Sequence, residues 1–318
     1  REDFARVEPD RVGRITYFPR AVERYLSGLL ALLDREAIRR AAPRVAVGVG
    51  GGPLGLLLPA LLRHLGCRVH QVETAPGGAV TVGGDFPAIL EELGAETVRS
   101  GAQLGVAMEP AGENLRLVDE TGRPVPPEAV ELLLAWRTMR QGLPVVVPVS
   151  APGAVEKLAA RLDARVVRTK STVRARMEAE RQLMPGTAPY FHAVSDALLT
   201  LARVLEGLAK EGATLSRLLA ELPPCHTARA EVPCDWTHKG RVMRSLLEEF
   251  AAEEGVDFTD GVKVHPDRDP DAWVLVQPDA DAPYFRVITE GRTANQAQAF
   301  LAAFRERILA LEGNSTPT

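Results

Sequence analysis

An acidic loop between two apolar runs is the first candidate for chemistry in this sequence. The segment GVAMEPAGENLRLVDETG covers residues 105–122, and Glu109 and Glu113 stand in its loop with the residues PAG between them. Carboxylates on a loop between two strands are a common way to hold a divalent cation, because Mg²⁺ and Ca²⁺ prefer oxygen ligands. The loop is therefore either a metal site or the remains of one.

A glycine-rich turn is the second candidate. Gly50, Gly52 and Gly55 have the spacing G-x-G-x-x-G between a predicted strand and a predicted helix, and Glu73 closes the next predicted strand. This context is typical of a dinucleotide-binding turn, in which the acidic residue contacts a ribose. The alternative is a tight strand-to-helix turn that needs small residues, and Pro53 in the loop favours it.

Cysteine and histidine residues offer a third candidate. Cys225, His226, Cys234 and His238 could form a zinc set. Their spacing fits no usual zinc pattern, and the residues VPCDW are typical of a packed strand end. The bland alternative is that these four residues are structural.

Length and composition bound the class of protein. The chain has 318 residues, which is too many for one ordinary core, so two or three domains are expected. The net charge is −4, which argues against a nucleic-acid or membrane surface. No apolar run approaches the roughly 20 residues that span a bilayer. The three cysteines form no disulfide framework, and we predict a cytoplasmic protein.

The start of the sequence carries an expectation of its own. The chain begins at Arg1, and its first methionine is Met108. We therefore expect the sequence to be a piece of a longer polypeptide, with residues 1–18 as a linker.

The elements that position these residues follow from hydrophobic periodicity. Residues 19–41 predict one amphipathic helix, and residues 86–100 predict another. The runs RVAVGVGGG, CRVHQVE and QLGVAM predict strands, and LRLVDETGRPV predicts a strand followed by a turn. Strands that alternate with helices indicate a mostly parallel sheet covered on both faces, in a first unit over residues 19–142.

Two further units are predicted. Residues 143–226 repeat the pattern of strand, helix and strand, and then continue into one long and one short helix. Residues 227–318 place their strands between two helices, which indicates an antiparallel sheet. The predicted fold class is α/β, with two three-layer α/β/α domains with mixed, mostly parallel sheets, followed by an α+β domain.

Three stretches together resemble the phosphohexomutase family, which comprises phosphomannomutases and phosphoglucomutases. The segment after Gly105 is similar to the family's metal loop, usually G-[IV]-A-x-D-G-D-[AG]-D-R. The run RVVRTKSTVRARM resembles the segment with T-[KP]-[VT]-G, and DGVKVHPDRDPDAWVLVQPDADAPYFRVITEGRT resembles the last domain. The resemblance implies the family's second, third and fourth domains. The first domain, which bears the phosphorylated serine, has no counterpart here.

The metal loop departs from the family pattern. Three aspartates bind magnesium in the family, and the matching positions are Glu109, Ala111 and Glu113, with Asn114 in place of an arginine. Magnesium demands near-ideal octahedral geometry, so this change predicts weak binding or none. We expect no cofactor, and Mg²⁺ only if this vestigial loop still binds it.

The phosphate loop departs further. The family's arginine, serine, threonine and glutamate correspond to Gln277, Asp279, Asp281 and Ala282. The two aspartates would face a ligand phosphate, and like charges at about 4 Å repel by several kcal/mol in a moderately screened setting. The sugar-binding loop, G-E-x-S-G-H in the family, falls between Met184 and His192 and is not reproduced.

Some residues of the family's site are kept. The resemblance implies that Thr169, Lys170 and Arg286 bind substrate or phosphate, although Thr172 replaces the glycine of T-K-x-G. A solvated strand end is the alternative for Thr169 and Lys170.

The prediction for function follows from these departures. We expect a catalytically inactive phosphohexomutase-like module of sugar-phosphate metabolism, in the supply of mannose or GDP-mannose. One alternative is an active hexose-phosphate mutase when the chain is joined to a first domain, and another is the dinucleotide-binding protein. Expected partners are a hexose phosphate, an upstream nucleotidyltransferase or mutase domain in the same polypeptide and further copies of the chain, but not nucleic acid or a membrane.

Overall fold

A mixed sheet forms the first part of the molecule. The computed structural model describes residues 11–49, 54–72, 86–109, 111–184 and 195–313. The elements of the first unit are α1 (Ala21–Ala31), α2 (Arg35–Ala41), β1 (Arg44–Val49), α3 (Leu54–His64), β2 (Arg68–Gln71), α4 (Phe86–Ser100), β3 (Leu104–Met108), β4 (Leu115–Asp119), β5 (Pro124–Val125) and α5 (Pro127–Met139). The strand order is β2-β1-β3-β4-β5. Strand β1 pairs in parallel with β2 and β3, whereas β4 pairs antiparallel with both β3 and β5.

Both faces of this sheet are buried. Ala46 and Ala107 point towards α4, whereas Val45 and Val106 belong to the larger core on the opposite face. The face towards α4 is built from small side chains because the helix approaches closely. At Gly105 an added Cβ would collide with Thr97 and lie 2.9 Å from Leu93 Cγ.

The helix predicted over residues 19–41 is two helices, and this part of the prediction was wrong. The chain breaks at Asp34, whose carboxylate caps α2 by accepting from the Ala37 N–H at 3.1 Å. The Asp34 N–H in turn donates to Glu206 at 2.8 Å. A cap and a distant acceptor together satisfy backbone groups that a continuous helix would have paired internally.

The second unit shares its core with the first. Its elements are β6 (Val145–Pro148), α6 (Ala154–Leu162), β7 (Val166–Thr169), α7 (Val173–Leu183), α8 (Ala197–Glu211) and α9 (Leu215–Ala220). In the part of this unit that the structure describes, the sheet consists of the parallel pair β6 and β7. Helix α8 is buried along most of its length, and one hydrophobic cluster runs from Leu26 to Leu222.

The third unit is an antiparallel sheet covered by two helices. Its elements are β8 (His226–Pro233), α10 (Trp236–Phe250), β9 (Val262–Val264), a short 3-10 helix (Pro266–Arg268), β10 (Trp273–Pro278), β11 (Tyr284–Gly291) and α11 (Ala294–Gly313). The strand order is β8-β11-β10-β9. The two helices pack on one face around Phe285 and Val287, while Trp273, Leu275 and Ile288 pack with Val149 of the second unit on the other.

The predicted fold class is confirmed: a mixed, mostly parallel sheet is followed by a separate antiparallel sheet. Among the helices of the described residues, none is both long and apolar enough to cross a membrane. The unit boundaries proposed above remain predictions.

Candidate functional site

The acidic loop closes on itself between β3 and β4. The Glu109 N–H donates to the Asn114 carbonyl at 3.1 Å, and the Gly112 N–H donates to the Glu109 carbonyl at 2.9 Å. The side chains pair as well, since Asn114 Nδ2 donates to Glu109 Oε2 at 2.8 Å. The Ala197 N–H of α8 donates to the Gly112 carbonyl at 2.9 Å and ties the loop to the second unit. Pro110 lies outside the described residues.

This loop is a poor fit for magnesium. One carboxylate, Glu109, already accepts from Asn114, and the other, Glu113, is exposed, while the side chain of Ala111 between them has no ligand atom. No group of three or more histidine, cysteine, aspartate or glutamate side chains within the described residues could hold a metal ion. Because Mg²⁺ demands near-ideal octahedral geometry, Glu109 would have to give up its hydrogen bond to Asn114 before it could bind the ion.

Thr169 and Lys170 lie at the carboxyl end of β7. The Thr169 carbonyl accepts from the Val149 N–H at 2.8 Å, so the backbone is held in the sheet. Its hydroxyl donates to the Lys170 carbonyl at 3.0 Å. The Lys170 side chain is exposed, which fits both a ligand contact and a solvated strand end.

Gln277, at the position of the family's arginine, bridges two units instead of facing solvent. Its Nε2 donates to Asp260 Oδ2 at 2.6 Å and to Ser171 Oγ at 3.0 Å. The Ser171 N–H donates to the same Asp260 oxygen at 2.8 Å. Ser171 follows Lys170 directly, so these bonds hold the end of β7 against the third unit.

Asp279 folds back onto its own loop. Its Oδ1 accepts from the backbone N–H groups of Asp281 and Ala282, both at 2.9 Å. Its Oδ2 lies 2.5 Å from Arg286 Nη2, and the side chain is only 7% exposed. The N–H of Asp281 and the charge of Arg286 hold the pKa of the Asp279 carboxyl below its usual range. A carboxylate of the chain itself thus occupies the donors of this loop.

Arg286, predicted to bind substrate, is held by neighbours. It pairs in register with Gln277 across β10 and β11, so the two side chains share a face of the sheet. A hydrogen bond to the Tyr284 hydroxyl at 3.3 Å and the Asp279 carboxylate raise the pKa of the guanidinium. Its role towards a ligand remains a prediction.

Lys239 was not found from the sequence, although it fixes the same loop. Its Nζ donates to the carbonyl of Ala282 at 2.6 Å and also to that of Asp279. The ammonium lies 4.3 Å from the centre of the Trp236 ring, and the residue is 7% exposed. The ammonium of Lys239, on α10, therefore fixes this loop through hydrogen bonds to two of the loop's backbone carbonyls.

A buried lysine and glutamate join the second and third units. Lys263 Nζ donates to the Val149 carbonyl at 2.8 Å and lies 4.1 Å from the centre of the Trp273 ring. Glu290 Oε2 accepts from the Gly153 N–H at 2.7 Å and from Trp273 Nε1. Burial lowers the pKa of Lys263 to about 8. Sequence reasoning missed both residues: Lys263 is the one polar residue of β9, and nothing in the sequence of β11 sets Glu290 apart from its other polar residues.

The zinc hypothesis was wrong. Cys225 and His226 stand at the start of β8, whereas Cys234 and His238 follow its end. Eight extended residues span roughly 26 Å at about 3.3 Å per residue, far beyond the reach of one zinc ion.

The dinucleotide alternative and the sugar-binding loop fall largely on residues that the structure does not describe. Gly50, Gly52, Pro53 and Glu73 lie outside the described residues, and Gly55 belongs to α3. The loop expected between Met184 and His192 lies outside them from residue 185 onwards. Both remain predictions.

Comparison with known proteins identifies the relatives of the chain. It is 29% identical over 315 residues to a phosphoglucomutase/phosphomannomutase of Thermococcus kodakarensis, an overlap that covers 94% of this chain and 68% of the relative. It is 29% identical over 283 residues to a probable phosphoglucosamine mutase of Methanopyrus kandleri, covering 84% of this chain and 62% of the relative. No protein-family model matches the sequence. Over most of its length the chain is thus similar to proteins named phosphoglucomutase/phosphomannomutase and phosphoglucosamine mutase.

Solved phosphohexomutase structures share its fold. A phosphoglucomutase/phosphomannomutase family protein of Burkholderia thailandensis superposes with a TM-score of 0.71 at 18% identity and covers 93% of this chain and 65% of its own. An N-acetylphosphoglucosamine mutase of Aspergillus fumigatus, solved with GlcNAc-6P and magnesium, superposes with a TM-score of 0.59 at 12% identity, covering 94% of this chain and 67% of its own. The chain thus spans about two thirds of the length of the phosphohexomutases it matches.

Proposed function

We propose that this chain is a phosphohexomutase-like module of sugar-phosphate metabolism that does not itself transfer phosphate. The observation that carries the proposal is the position of the Asp279 carboxylate. It accepts from two backbone N–H groups of its loop and pairs with Arg286. These are the kinds of donor that bind a phosphate oxygen, and here they are already used.

Charge works in the same direction. A phosphate at this loop would meet the carboxylates of Asp279 and Asp281, and its approach would have to break the pair between Asp279 and Arg286. Two like charges about 4 Å apart repel by several kcal/mol where solvent screening is moderate. The loop therefore disfavours phosphate binding in two ways: its donors are already used by Asp279, and its carboxylates repel the phosphate charge.

The contact between the second and third units adds support. Gln277 and Asp260 hold Ser171 in place beside Lys170. A ligand that reached Lys170 from this side would have to displace these hydrogen bonds. Magnesium would neutralise phosphate charge when bound. The acidic loop supplies no other group that could take this role.

The setting of the module is also a proposal. We place it in mannose or GDP-mannose metabolism, in the cytoplasm, and joined to an upstream nucleotidyltransferase or mutase domain. Self-association of the chain is part of this proposal. The names of the relatives support sugar-phosphate chemistry in general, since they include phosphomannomutase and phosphoglucosamine mutase.

A second candidate is an active mutase that forms when this chain is joined to a first domain. The observation that favours it is the exposed Lys170 at the end of β7, where a cation could bind a sugar phosphate. In that case the carboxylate of Asp279 would have to leave its loop in the complete protein.

A binding experiment with matched variants tests the proposal. Mannose 1-phosphate and glucose 6-phosphate are titrated calorimetrically into the wild type, Lys170→Gln, Asp279→Ser and Asp281→Ser, with and without magnesium. The wild type should show no binding that both depends on magnesium and is lost in Lys170→Gln. Asp279→Ser should gain binding because it frees the N–H groups. Asp281→Ser removes the same charge without freeing them and should gain less.

Two other results would contradict parts of the proposal. Micromolar binding by the wild type that strengthens with magnesium and is lost in Lys170→Gln would favour the active mutase. Equal gains in the two aspartate variants would mean that charge, not occupation of the loop, weakens binding.

A further inference from the structure

A polar cavity lies between α1, α5 and α8, away from the loops described above. Its volume is about 470 Å³, within the range of small-molecule sites. Gln141, which lines it, precedes β6, whereas Thr169 and Lys170 lie at the opposite end of the paired strand β7. The cavity is therefore separate from the candidate site.

Arg137 is the central feature of the cavity. The residue is 8% exposed, and its nearest carboxylates, Glu206 and Glu211, are each 3.9 Å away. No hydrogen bond from its guanidinium to another described residue is present at this separation. The guanidinium is therefore paired with both carboxylates only near the limit of ion-pair distance, which leaves its N–H groups able to donate to a ligand in the cavity.

Gly207 on α8 makes room for this arginine. An added Cβ there would lie 2.9 Å from Arg137 Nη1 and 3.2 Å from Cζ and Nε. The guanidinium thus lies flat against the helix backbone, with its position set by the absence of a side chain. A planar group held in this way is already oriented for two parallel hydrogen bonds to an oxyanion.

The charges around the cavity favour an anion that also carries hydroxyl groups. Four basic side chains and three carboxylates line it: Arg137, Arg140, Arg203, Lys210, Asp34, Glu206 and Glu211. Glu206 is engaged by the Asp34 N–H at 2.8 Å and by Arg203 at 3.0 Å. Glu211 is paired with the exposed Arg140, a contact that contributes little and can be exchanged.

Helix stability alone does not account for this arrangement. Basic residues near the carboxyl ends of α5 and α8 interact favourably with the helix dipoles, and this explains Arg140 and Lys210. The helix dipole does not explain why Arg137 is buried beside a cavity, because an exposed cation would interact with the dipole equally well. The partial negative charge of the two helix ends also means that a bare anion gains less here than a ligand with hydroxyl donors.

We propose that this cavity binds a phosphate group, free or carried on a small polyhydroxylated molecule, with Arg137 as its anchor. The guanidinium fork binds two phosphate oxygens, and Arg203 or Arg140 lies within the same lining to add charge. Hydroxyl groups of the ligand donate to Glu211 or Asp34. The proposal does not depend on the inactivity proposed for the cleft, because none of these residues belongs to it.

Binding to the full chain tests the site. Inorganic phosphate, glucose 6-phosphate and glucose are titrated without magnesium into the wild type, Arg137→Gln, Gly207→Ala and Lys170→Gln. We expect millimolar or tighter binding of a phosphate-bearing probe, and a loss of about tenfold or more in Arg137→Gln, which lacks a charge-assisted pair. Gly207→Ala should also weaken binding, since it displaces the guanidinium while every charge is kept. Lys170→Gln should bind as the wild type does.

The probes distinguish the source of the phosphate. Tighter binding of glucose 6-phosphate than of inorganic phosphate supports the site with a sugar phosphate as its ligand, and equal binding supports it with free phosphate. Absence of binding by both, binding that survives in Arg137→Gln, or binding lost in Lys170→Gln would each overturn the proposal. Hydrogen exchange of residues 137–141 and 203–211 in the wild type provides a check that needs no variant, and unchanged exchange at saturating probe would contradict the site.

Discussion

Lys263 should make the free energy of unfolding of the wild type rise between pH 8 and pH 10, and replacement of Lys263 by methionine should remove this rise. The pKa of Lys263 is lowered from 10.5 to about 8, chiefly by burial and next by the charge of Arg168, whereas Glu156, Glu290 and Asp257 oppose the shift. Between these two pH values the unfolded chain holds a proton on this side chain that the folded chain has lost. The free energy of unfolding therefore increases with pH across this window.

The size of the effect follows from the shift. Each pKa unit corresponds to about 1.4 kcal/mol, so the change between pH 8 and pH 10 is about 2 to 3 kcal/mol. Little discount for solvent screening applies, because Lys263 is 7% exposed. Methionine keeps the contact with Trp273 and loses the ammonium. The Val149 carbonyl keeps a donor in Arg168 at 3.2 Å, so the variant does not leave it unpaired.

The assay is urea unfolding of the wild type and Lys263→Met at pH 7, 8, 9 and 10. Other groups titrate in this window and act in the opposite direction, because burial raises the pKa of Cys67 to about 12 and of Cys225 to about 11. The informative quantity is therefore the difference between the two proteins. It should shift by 2 to 3 kcal/mol in favour of the wild type as the pH rises from 8 to 10. Lys170→Met, at an exposed lysine, is the control, and a difference that stays constant with pH would refute the reasoning.

Three further predictions concern stability and reactivity. Tyr25→Phe should lower the free energy of unfolding by about 1 to 3 kcal/mol in urea denaturation, because the hydroxyl bonds the Asp196 carboxylate that caps α8; an unchanged midpoint would contradict this. Gly105→Ala should lower the melting temperature, at a cost of about 1 to 3 kcal/mol, because its Cβ has no space beside Leu93, and Gly240→Ala, with open space, is the control. Cys67 should react with a thiol reagent at pH 8 at least about tenfold more slowly than an unperturbed thiol, since burial raises its pKa to about 12; rapid labelling in the folded chain would exclude this.

Much of the fold could be predicted because its elements carry strong local signals. Helix α4 begins and ends where the periodicity predicted, and the third unit has the antiparallel sheet that was predicted from strands placed between two helices. Two helices were not predicted. Helix α5 carried a usable signal, with Pro127 at its first position and Glu128 in its first turn. Helix α7 is polar on most of its surface, and only Thr172, which caps it through the Ala175 N–H, marked its start.

The candidate site was predictable at the level of residue type but not of conformation. The aspartates at positions 279 and 281 could be recognised as unsuitable for a phosphate from their charge alone. That Asp279 turns inward, however, depends on the backbone path between β10 and β11, which brings two N–H groups to its carboxylate. Lys263 and Glu290 needed the packing of two separate units before their burial could be recognised.

One relation connects the altered loops. At the acidic loop Asn114 donates to Glu109, at the interface Gln277 donates to Asp260, and at the third loop Asp279 accepts from its own backbone. In each case a side chain that departs from the family pattern makes an internal hydrogen bond. An external ligand would have to compete with these bonds, each worth about 1 kcal/mol and more where a charge takes part. If the chain has lost its ligand, reverting one of these positions should restore only part of the affinity, because the internal hydrogen bonds at the other two remain. Paired reversion of Asp279 and Gln277 should therefore raise sugar-phosphate affinity by more than either single change, and calorimetric titration would contradict this if the paired variant bound no more tightly than Asp279→Ser alone.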